Sequence, residues 1–160
     1  MKKVLIAYFS LAGSTEKMAQ FVAEGVRFAT QQPVVKKVTD IQTAADLAGY
    51  DGYIFGCPTY YLDVAEPMKR FLFLGRKVNL EGKLGGAFGS YTHDGSAPKI
   101  VFDTMQYVFK MDPFELGPFN LKESAGPFDL GEPSVGNNDG MRACQDYGRV
   151  FAERLASSKG

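Results

Sequence analysis

The feature that most constrains the fold is the uninterrupted apolar run Val4–Phe9, which a short polar turn joins to a helical pattern. A run that is apolar on both faces is typical of a central strand in a parallel sheet, because helices cover both faces of such a sheet. After the turn, apolar residues recur at helical spacing, which predicts an amphipathic helix over about Thr15–Thr30. The chain therefore begins with a strand and a crossover helix, the repeating unit of α/β folds.

The same alternation continues along the chain. We predict further strands at Pro33–Val38, at Tyr53–Gly56, at Leu84–Tyr91 and within Phe114–Leu121. We predict further helices at Thr43–Tyr50, from Glu66-Pro67 onward, at Pro98–Phe109 and at Met141–Ala156. The order βαβαβαβαβα predicts a five-stranded parallel sheet with helices on both faces, a three-layer α/β sandwich. No linker divides the chain, so we expect a single domain over residues 1–160.

Glycines and turn-forming residues add two local expectations. Gly85, Gly86 and Gly89 within the fourth strand predict that another backbone or a ligand approaches closely there. The stretch from Met111 to Asn138 is rich in proline and glycine, and three roles are open for it: it covers a ligand, binds a partner or does neither.

Composition excludes several classes of protein. Lysine plus arginine equal aspartate plus glutamate at 18 each, so no basic surplus favours a nucleic-acid partner. The first apolar run has six residues, too few for a secretory core of about 7–15, and no run approaches the ~20 residues of a membrane span. Two cysteines without a CxxC pair indicate neither a disulfide framework nor a metal site. A reducing, cytoplasmic location is expected.

Ligands of open α/β sheets bind beyond the carboxyl ends of the strands, which directs attention to three loops. The first loop joins a buried strand to a helix N-terminus, whose free N–H groups and dipole attract anions. It consists of Ser10, Leu11, Ala12, Gly13, Ser14 and Thr15. We interpret it as a phosphate site, with a simple Ser/Thr helix cap as the alternative. It matches neither G-x-x-x-x-G-K-[ST] nor G-x-G-x-x-G, which argues against a P-loop NTPase and an NAD-type domain.

The second and third loops carry aromatic and polar side chains. The second contains Pro58, Thr59, Tyr60 and Tyr61, whose rings can stack on a planar heterocycle or else cover the core or meet a partner. The third contains Ser90, Tyr91, Thr92, His93, Asp94 and Gly95, a second candidate wall for a ring. His93 is a candidate proton donor or a plain surface imidazole, and Cys57 a redox thiol or a structural one. A phosphate cradle, an aromatic platform and a polar wall at one sheet edge fit FMN.

At this point the chain resembles the flavodoxin-like family. The segments Lys3–Gly25, Tyr50–Leu72 and Gly82–Gly95 resemble its phosphate loop and its two ring loops, each with the adjoining strand. Within this family, the sequence resembles most the NAD(P)H:quinone reductases of the tryptophan-repressor-binding type. The resemblance implies that residues 10–15 hold the FMN phosphate, that residues 58–61 line the ribityl chain and one ring face, and that residues 90–95 line the other.

The sequence also departs from this family. Ala12 stands where electron-carrier flavodoxins usually have threonine or serine, Met111–Asn138 aligns with nothing in the family, and the chain is neutral where dedicated carriers are strongly acidic. Negative charge opposes formation of the anionic reduced flavin, so we predict a less negative second reduction potential than in such a carrier.

Two functions remain open. One is an FMN electron carrier that serves a redox partner protein. The other is a reductase, often oligomeric, that uses NADH or NADPH to reduce a small quinone or a flavin with His93 as the catalytic proton donor. A receiver-type signalling domain is disfavoured, because Phe9-Ser10 and Gly56-Cys57-Pro58 supply no phosphoacceptor aspartate.

Overall fold

The computed structural model of the chain describes residues 1–123 and 132–158. Its strands are β1 (Lys3–Tyr8), β2 (Gln32–Lys37), β3 (Gly52–Gly56), β4 (Thr59–Tyr60), β5 (Asp63–Val64), β6 (Leu84–Tyr91) and β7 (Asp112–Lys122). Its α-helices are α1 (Ser14–Phe28), α2 (Ala44–Leu47), α3 (Glu66–Gly75), α4 (Ser96–Asp103) and α5 (Asn138–Ser157). A 3₁₀ turn at Val38–Asp40 follows β2, and a π-helical turn at Thr104–Val108 continues α4.

The five long strands form one sheet in the order β2-β1-β3-β6-β7, with every neighbouring pair parallel. The chain winds outward from β1 to β2 and then in the opposite direction from β3 to β7. Right-handed crossovers therefore place α1 and α3 on opposite faces of the sheet. The strand order reverses between β1 and β3, which is where ligands of such sheets bind. The predicted three-layer α/β sandwich with a five-stranded parallel sheet is confirmed.

The core explains why the central strands were recognisable. Every residue of β3 is buried, as is every residue of β1 after Lys3, because helices cover both faces there. On one face α1 and α5 pack backbone to backbone. A Cβ at Gly25 would overlap the carbonyl oxygen of Gln145, and one at Gly148 would overlap that of Val22. Within the described residues, no helix combines the length and apolar character needed to cross a bilayer.

The strand within Phe114–Leu121 is confirmed as part of β7, which is longer than predicted. It lies at the edge of the sheet, where the missing N–H groups of Pro113 and Pro118 are tolerated. The register against β6 shifts between Gly85 and Ala87, so the strand is irregular there. The rest of the proline- and glycine-rich stretch is described only from residue 132 onward.

Two predicted helices are shorter than their patterns indicated. The helix predicted at Thr43–Tyr50 is the single turn α2, although Thr43 caps it as expected, through a capping box with Asp46. The helix predicted at Pro98–Phe109 changes to π geometry after Asp103. Single π turns within α-helices frequently occur at functional sites.

The predicted close approach of another backbone to the β6 glycines is confirmed at Gly89 and wrong at Gly85 and Gly86. A Cβ at Gly89 would overlap the carbonyl oxygen of Cys57, so backbone approaches there. At Gly85 and Gly86 side chains fill the space, the methyl of Met105 at the first and the hydroxyl of Tyr147 at the second. Only the contact at Gly89 involves one of the candidate ligand loops.

Candidate functional site

The first candidate loop turns sharply between β1 and α1. Gly13 adopts a left-handed conformation with φ 93°, and no atom lies within 4 Å of where its Cβ would be. The Gly13 N–H donates to Ser10 Oγ at 3.0 Å, which closes the loop on itself. Ser10 accepts in this bond, so its own hydroxyl hydrogen stays available to donate.

The start of α1 tests the helix-cap alternative for this loop. Gly13 occupies the cap position, and within residues 1–123 no side chain caps the helix. The alternative of a simple Ser/Thr cap is therefore wrong. The N–H groups of the first turn are instead left for another acceptor, which is the condition for an anion site at a helix N-terminus.

A cavity of about 310 Å³ opens beside this helix start. Ala12, Gly13 and Ser14 form one wall, and Val135 and Gly136 form the other. Lys17 also lines the cavity and brings an exposed cation to it. The sequence analysis missed Lys17, Val135 and Gly136. Lys17 follows Ser14 by three positions, and that helical spacing could have revealed it, whereas Val135 and Gly136 arrive only through tertiary folding.

The second candidate loop folds into a hairpin that the sequence did not predict. Strands β4 and β5 pair antiparallel, Thr59 with Val64 and Tyr60 with Asp63. The hairpin and the end of β1 enclose a cavity of about 640 Å³, which Phe9, Leu11, Tyr60 and Tyr61 line. Leu11, expected in the phosphate loop, lies in this aromatic cavity instead and is exposed.

The two tyrosines of the hairpin have different environments. Tyr61 is fully exposed at 101% and so does not cover the core. Tyr60 is half-buried and packs against the core, and burial, with a further contribution from the charge of Glu123, raises the pKa of its phenol. The Tyr60 phenol therefore stays neutral near pH 7, and both rings present aromatic surface to the cavity.

The third candidate loop lies next to the other two but does not line either cavity. Ser90 is fully buried, while Thr92 and His93 are exposed and bonded to each other, Thr92 Oγ1 to His93 Nδ1 at 2.9 Å. Asn120 holds the end of the loop by donating from Nδ2 to the Gly95 carbonyl at 2.8 Å. Asp94 accepts from the N–H of Ser96 at 3.1 Å and so leads into α4.

Hydrogen bonds join the three loops into one unit. Thr15 Oγ1 and Ser90 Oγ lie 3.0 Å apart, which ties the first loop to the third. The N–H of Ala97 donates to Thr59 Oγ1 at 3.0 Å and ties the second loop to the start of α4. Ser90 Oγ also donates to a carboxylate oxygen of Glu123 at 3.3 Å, a residue that sequence reasoning missed.

Cys57 is buried at the base of the hairpin and bonds to its flanking residues. Its thiol is fully buried, donates to the Pro58 carbonyl at 3.2 Å and accepts from the Ala65 N–H at 3.5 Å. Burial raises the pKa of this thiol to about 12, so it is protonated and unreactive at neutral pH. The structural interpretation of Cys57 is the one that fits. Cys144 is likewise a free, buried thiol.

The arrangement fits FMN, and the fit rests on two observations. The uncapped start of α1, with the open space at Gly13, suits a phosphate. The aromatic cavity at the hairpin suits a flat ring system. Two buried polar atoms in the described chain, Asn120 Oδ1 and Ser134 Oγ, have no hydrogen-bond partner, and Asn120 anchors the third loop. Among residues 1–123 and 132–158, no group of three or more His, Cys, Asp or Glu side chains is gathered as metal ligands would be.

Fold and site together are those expected of an α/β protein that binds a flavin. Comparison with known proteins names the family: the Flavodoxin family model matches residues 6–115. The chain therefore belongs to the flavodoxin family, and the resemblance seen in the sequence is confirmed.

The relatives include both a flavodoxin and quinone reductases. The chain is 38% identical to a flavodoxin of Clostridium saccharobutylicum, covering 97% of this chain and 96% of the relative. It is 32% identical to an NAD(P)H dehydrogenase (quinone) of Gluconacetobacter diazotrophicus, covering 97% and 94%. The fold matches that of a flavodoxin from the domain Archaea with a TM-score of 0.80 at 24% identity, over 96% of this chain and 99% of that one.

Proposed function

We propose that this chain binds one FMN non-covalently across the carboxyl edge of β1, β3 and β6 and carries electrons through it. The observation that carries the proposal is the uncapped N-terminus of α1, which shares one sheet edge with the aromatic hairpin. Bound flavin supplies the electron-storing chemistry that side chains lack. The protein supplies binding, orientation and electrostatics.

The phosphate end is assigned to residues 10–15. The first-turn N–H groups of α1 and the hydroxyls of Ser10 and Ser14 donate to the anion, while Gly13 allows its close approach. Thr15 positions the loop and does not contact the phosphate through its side chain, because its hydroxyl is buried against Ser90. Lys17 adds the cation that the loop itself lacks.

The ring end is assigned to the hairpin and to the loop that follows β6. We assign Pro58, Thr59, Tyr60 and Tyr61 to the ribityl chain and one side of the ring. Of these four, Tyr60 and Tyr61 line the aromatic cavity. Residues 90–95 face the other side. They do not line the cavity as it stands, so their role requires the ring to lie between the hairpin and the third loop.

A second candidate function is reduction of a small quinone or flavin with NADH or NADPH as the donor. It is supported by the relatives named NAD(P)H dehydrogenase (quinone) and by the exposed imidazole of His93 on the third loop. From there His93 can donate a proton or a hydrogen bond to a substrate oxygen.

One experiment tests the cofactor and separates the two functions. The purified apoprotein is titrated with FMN, and quenching of flavin fluorescence reports binding. We expect micromolar or tighter affinity, and absence of binding at that level would refute the proposal. NADH or NADPH is then added to the holoprotein without air. Rapid loss of the yellow colour identifies a reductase, whereas a stable colour identifies a carrier.

The role of His93 is tested separately. In the reductase, His93→Ala should lower quinone turnover by about 10²-fold, the lower end of the range for general acid–base catalysis. His93→Gln, which keeps a hydrogen-bond donor, should retain part of the rate. Unchanged turnover in both variants would remove the histidine from the mechanism.

We further propose that the whole chain works as one domain in a reducing compartment such as the cytoplasm. Both cysteines are free thiols and fully buried, which suits such a location.

A further inference from the structure

Helix α3 carries an exposed aromatic side chain between two apolar grooves. Phe73 is 63% exposed and lines both of them. One groove of about 500 Å³ lies between α3 and the 3₁₀ turn after β2, and Phe71 and Leu74 form its floor. The other, of about 370 Å³, lies between α3 and the π turn, with Leu72 among its lining residues. We call this surface the α3 face.

The α3 face is positively charged. Arg70 and Lys77 line the first groove and Lys69 and Arg76 line the second, whereas neither groove is lined by a carboxylate. Lys69 and Arg70 are ion-paired with Asp63 and Glu66, at 3.1 Å and 2.7 Å. Within residues 1–123 and 132–158, Arg76 and Lys77 have no carboxylate within 4.0 Å.

This charge is a local feature, because the chain as a whole is neutral. From Glu66 to Lys77 there are four cations and one carboxylate. This segment has three more cations than carboxylates, so the rest of the neutral chain has three more carboxylates than cations. An exposed aromatic side chain ringed by cations is the composition of a protein-binding hot spot that selects an acidic partner.

The far wall of the second groove extends the same surface. Val108 of the π turn lines the groove and is 54% exposed, and the adjacent Tyr107 is 64% exposed. Phe73 and Val108 therefore leave two large apolar side chains in contact with solvent at the same groove. Apolar exposure of this kind, rimmed by charge, marks interaction surfaces.

The α3 face is joined to the proposed flavin site through the hairpin. Val64 of β5 lines both the second groove and the aromatic cavity, and Pro67 lines both the first groove and that cavity. The ion pair of Lys69 with Asp63 connects α3 to the same hairpin. A protein seated on the α3 face therefore shares a wall with the proposed ring site.

We propose that the α3 face docks a small acidic electron-transfer protein, with Phe73 as the apolar anchor and Arg76 and Lys77 as the steering charges. This inference rests on the proposed electron-carrying function. A second copy of the chain is the less favourable occupant, because a two-fold pairing would place like-charged faces together. Dedicated acidic carriers dock basic partners, so this protein has the opposite preference.

The test uses the holoprotein and an oxidised plant-type [2Fe–2S] ferredoxin as the acidic probe. Binding is followed by backbone amide chemical shifts of the isotopically labelled holoprotein at an ionic strength of about 20 mM, where screening is weak. Shifts should cluster on α3 and the π turn and fade as salt rises. Arg76→Glu/Lys77→Glu should weaken binding about tenfold or more, and Phe73→Ala should weaken it at any salt concentration.

Lys37→Glu/Lys83→Glu is the matched control. It makes the same charge change at two exposed positions outside the grooves and should reduce affinity far less. Basic cytochrome c, used as a second probe, should shift none of the α3 resonances. Thermal unfolding of each variant verifies that it is folded.

Three outcomes would overturn the proposal: no ferredoxin binding at low salt, shifts confined to Leu11 and Tyr61, or equal losses in the two charge-reversed pairs. Self-association that Phe73→Ala abolishes would assign the face to a second copy and also overturn it. FMN titration of the same variants keeps the two proposals distinct. A chain that docks ferredoxin but takes up no FMN would contradict the function and not the docking.

Discussion

The hydroxyl oxygens of Thr15 and Ser90 lie 3.0 Å apart in the interior, although the two residues are 75 positions apart in the chain. Thr15 belongs to the first turn of α1 and Ser90 to the end of β6. Both are buried, at 1% and 0% exposure, so neither can exchange its partner for water. The contact fixes the proposed phosphate loop against the strand that leads into the third loop.

We expect Thr15→Val and Ser90→Ala each to lower the free energy of unfolding by about 1–2 kcal/mol, because each leaves a buried hydroxyl with fewer partners. Their effects should couple by about 1 kcal/mol, which urea unfolding of both single variants and the double variant measures. Strict additivity would show that the contact contributes nothing.

Gly89→Ala should destabilise the protein by about 2 kcal/mol or more and weaken FMN binding, since the new methyl would displace the backbone of Cys57 below the hairpin. Gly85→Ala, on the same strand, is the control. Its methyl would meet the tip of Met105 at 3.0 Å, which can move aside. Urea unfolding and FMN titration of both variants test this, and equal losses would contradict the proposed role of the Gly89 contact.

Lys17→Gln should reduce FMN affinity about two- to fivefold at low salt and leave riboflavin affinity unchanged, because riboflavin lacks the phosphate. The effect should shrink as salt screens the charge. Lys83→Gln, at the opposite end of the sheet just before β6, serves as the control. Equal losses for FMN and riboflavin would place Lys17 away from the phosphate.

Stability should fall in alkaline solution. Burial raises the pKa of the Cys57 thiol, and that of Cys144, to about 12. Unfolded thiols titrate near 8.5, so above this pH the unfolded chain releases protons that the folded chain retains. The two buried thiols therefore contribute their full stabilisation of the folded state below about pH 8.5. Above that pH the free energy of unfolding declines by up to about 1.4 kcal/mol per pH unit for each thiol.

Urea unfolding between about pH 8 and pH 10, a window below the titration of most tyrosines, measures this slope. The double variant Cys57→Ala/Cys144→Ala should be less stable at neutral pH but flatter across the window. An identical slope in the variant would assign the alkaline loss to other groups.

The balanced charge of the chain leads to a redox prediction. The second reduction potential of the bound flavin should be less negative than in a strongly acidic carrier, because less negative charge opposes the anionic reduced form. An anaerobic reductive titration with a reference dye measures it. A value as low as that of an acidic carrier would show that local groups such as Glu123 outweigh the net charge.

The strands at the centre of the sheet could be predicted because burial on both faces leaves an unbroken apolar run in β1 and β3. The limits of β7 could not, since Pro113, Gly117 and Pro118 interrupt its pattern and only its edge position accommodates them. Periodicity also cannot distinguish α from π geometry, so the change after Asp103 was missed.

The candidate site could be predicted at the level of loops and not of contacts. A Ser/Thr-rich turn before a helix suggests a cap or an anion site, and only the structure shows that Gly13 occupies the cap position and that no side chain caps the helix within residues 1–123. The β4–β5 hairpin was missed because its two-residue turn, Tyr61-Leu62, lacks the glycine or asparagine that marks such turns. Lys17 could have been found from its helical spacing to Ser14. Glu123 and Val135 reach the site through tertiary packing that no local pattern encodes.

That turn has a consequence for anyone wishing to make a more heat-resistant version of the protein. Tyr61 and Leu62 both adopt positive φ, 50° and 61°, a backbone region that disfavours bulky side chains by about 1–2 kcal/mol per residue. Asn-Gly would suit the hairpin better and raise the melting temperature, but it would delete the exposed ring beside the cavity. Heat resistance and the proposed stacking of Tyr61 on the flavin thus impose opposite demands on the same two positions.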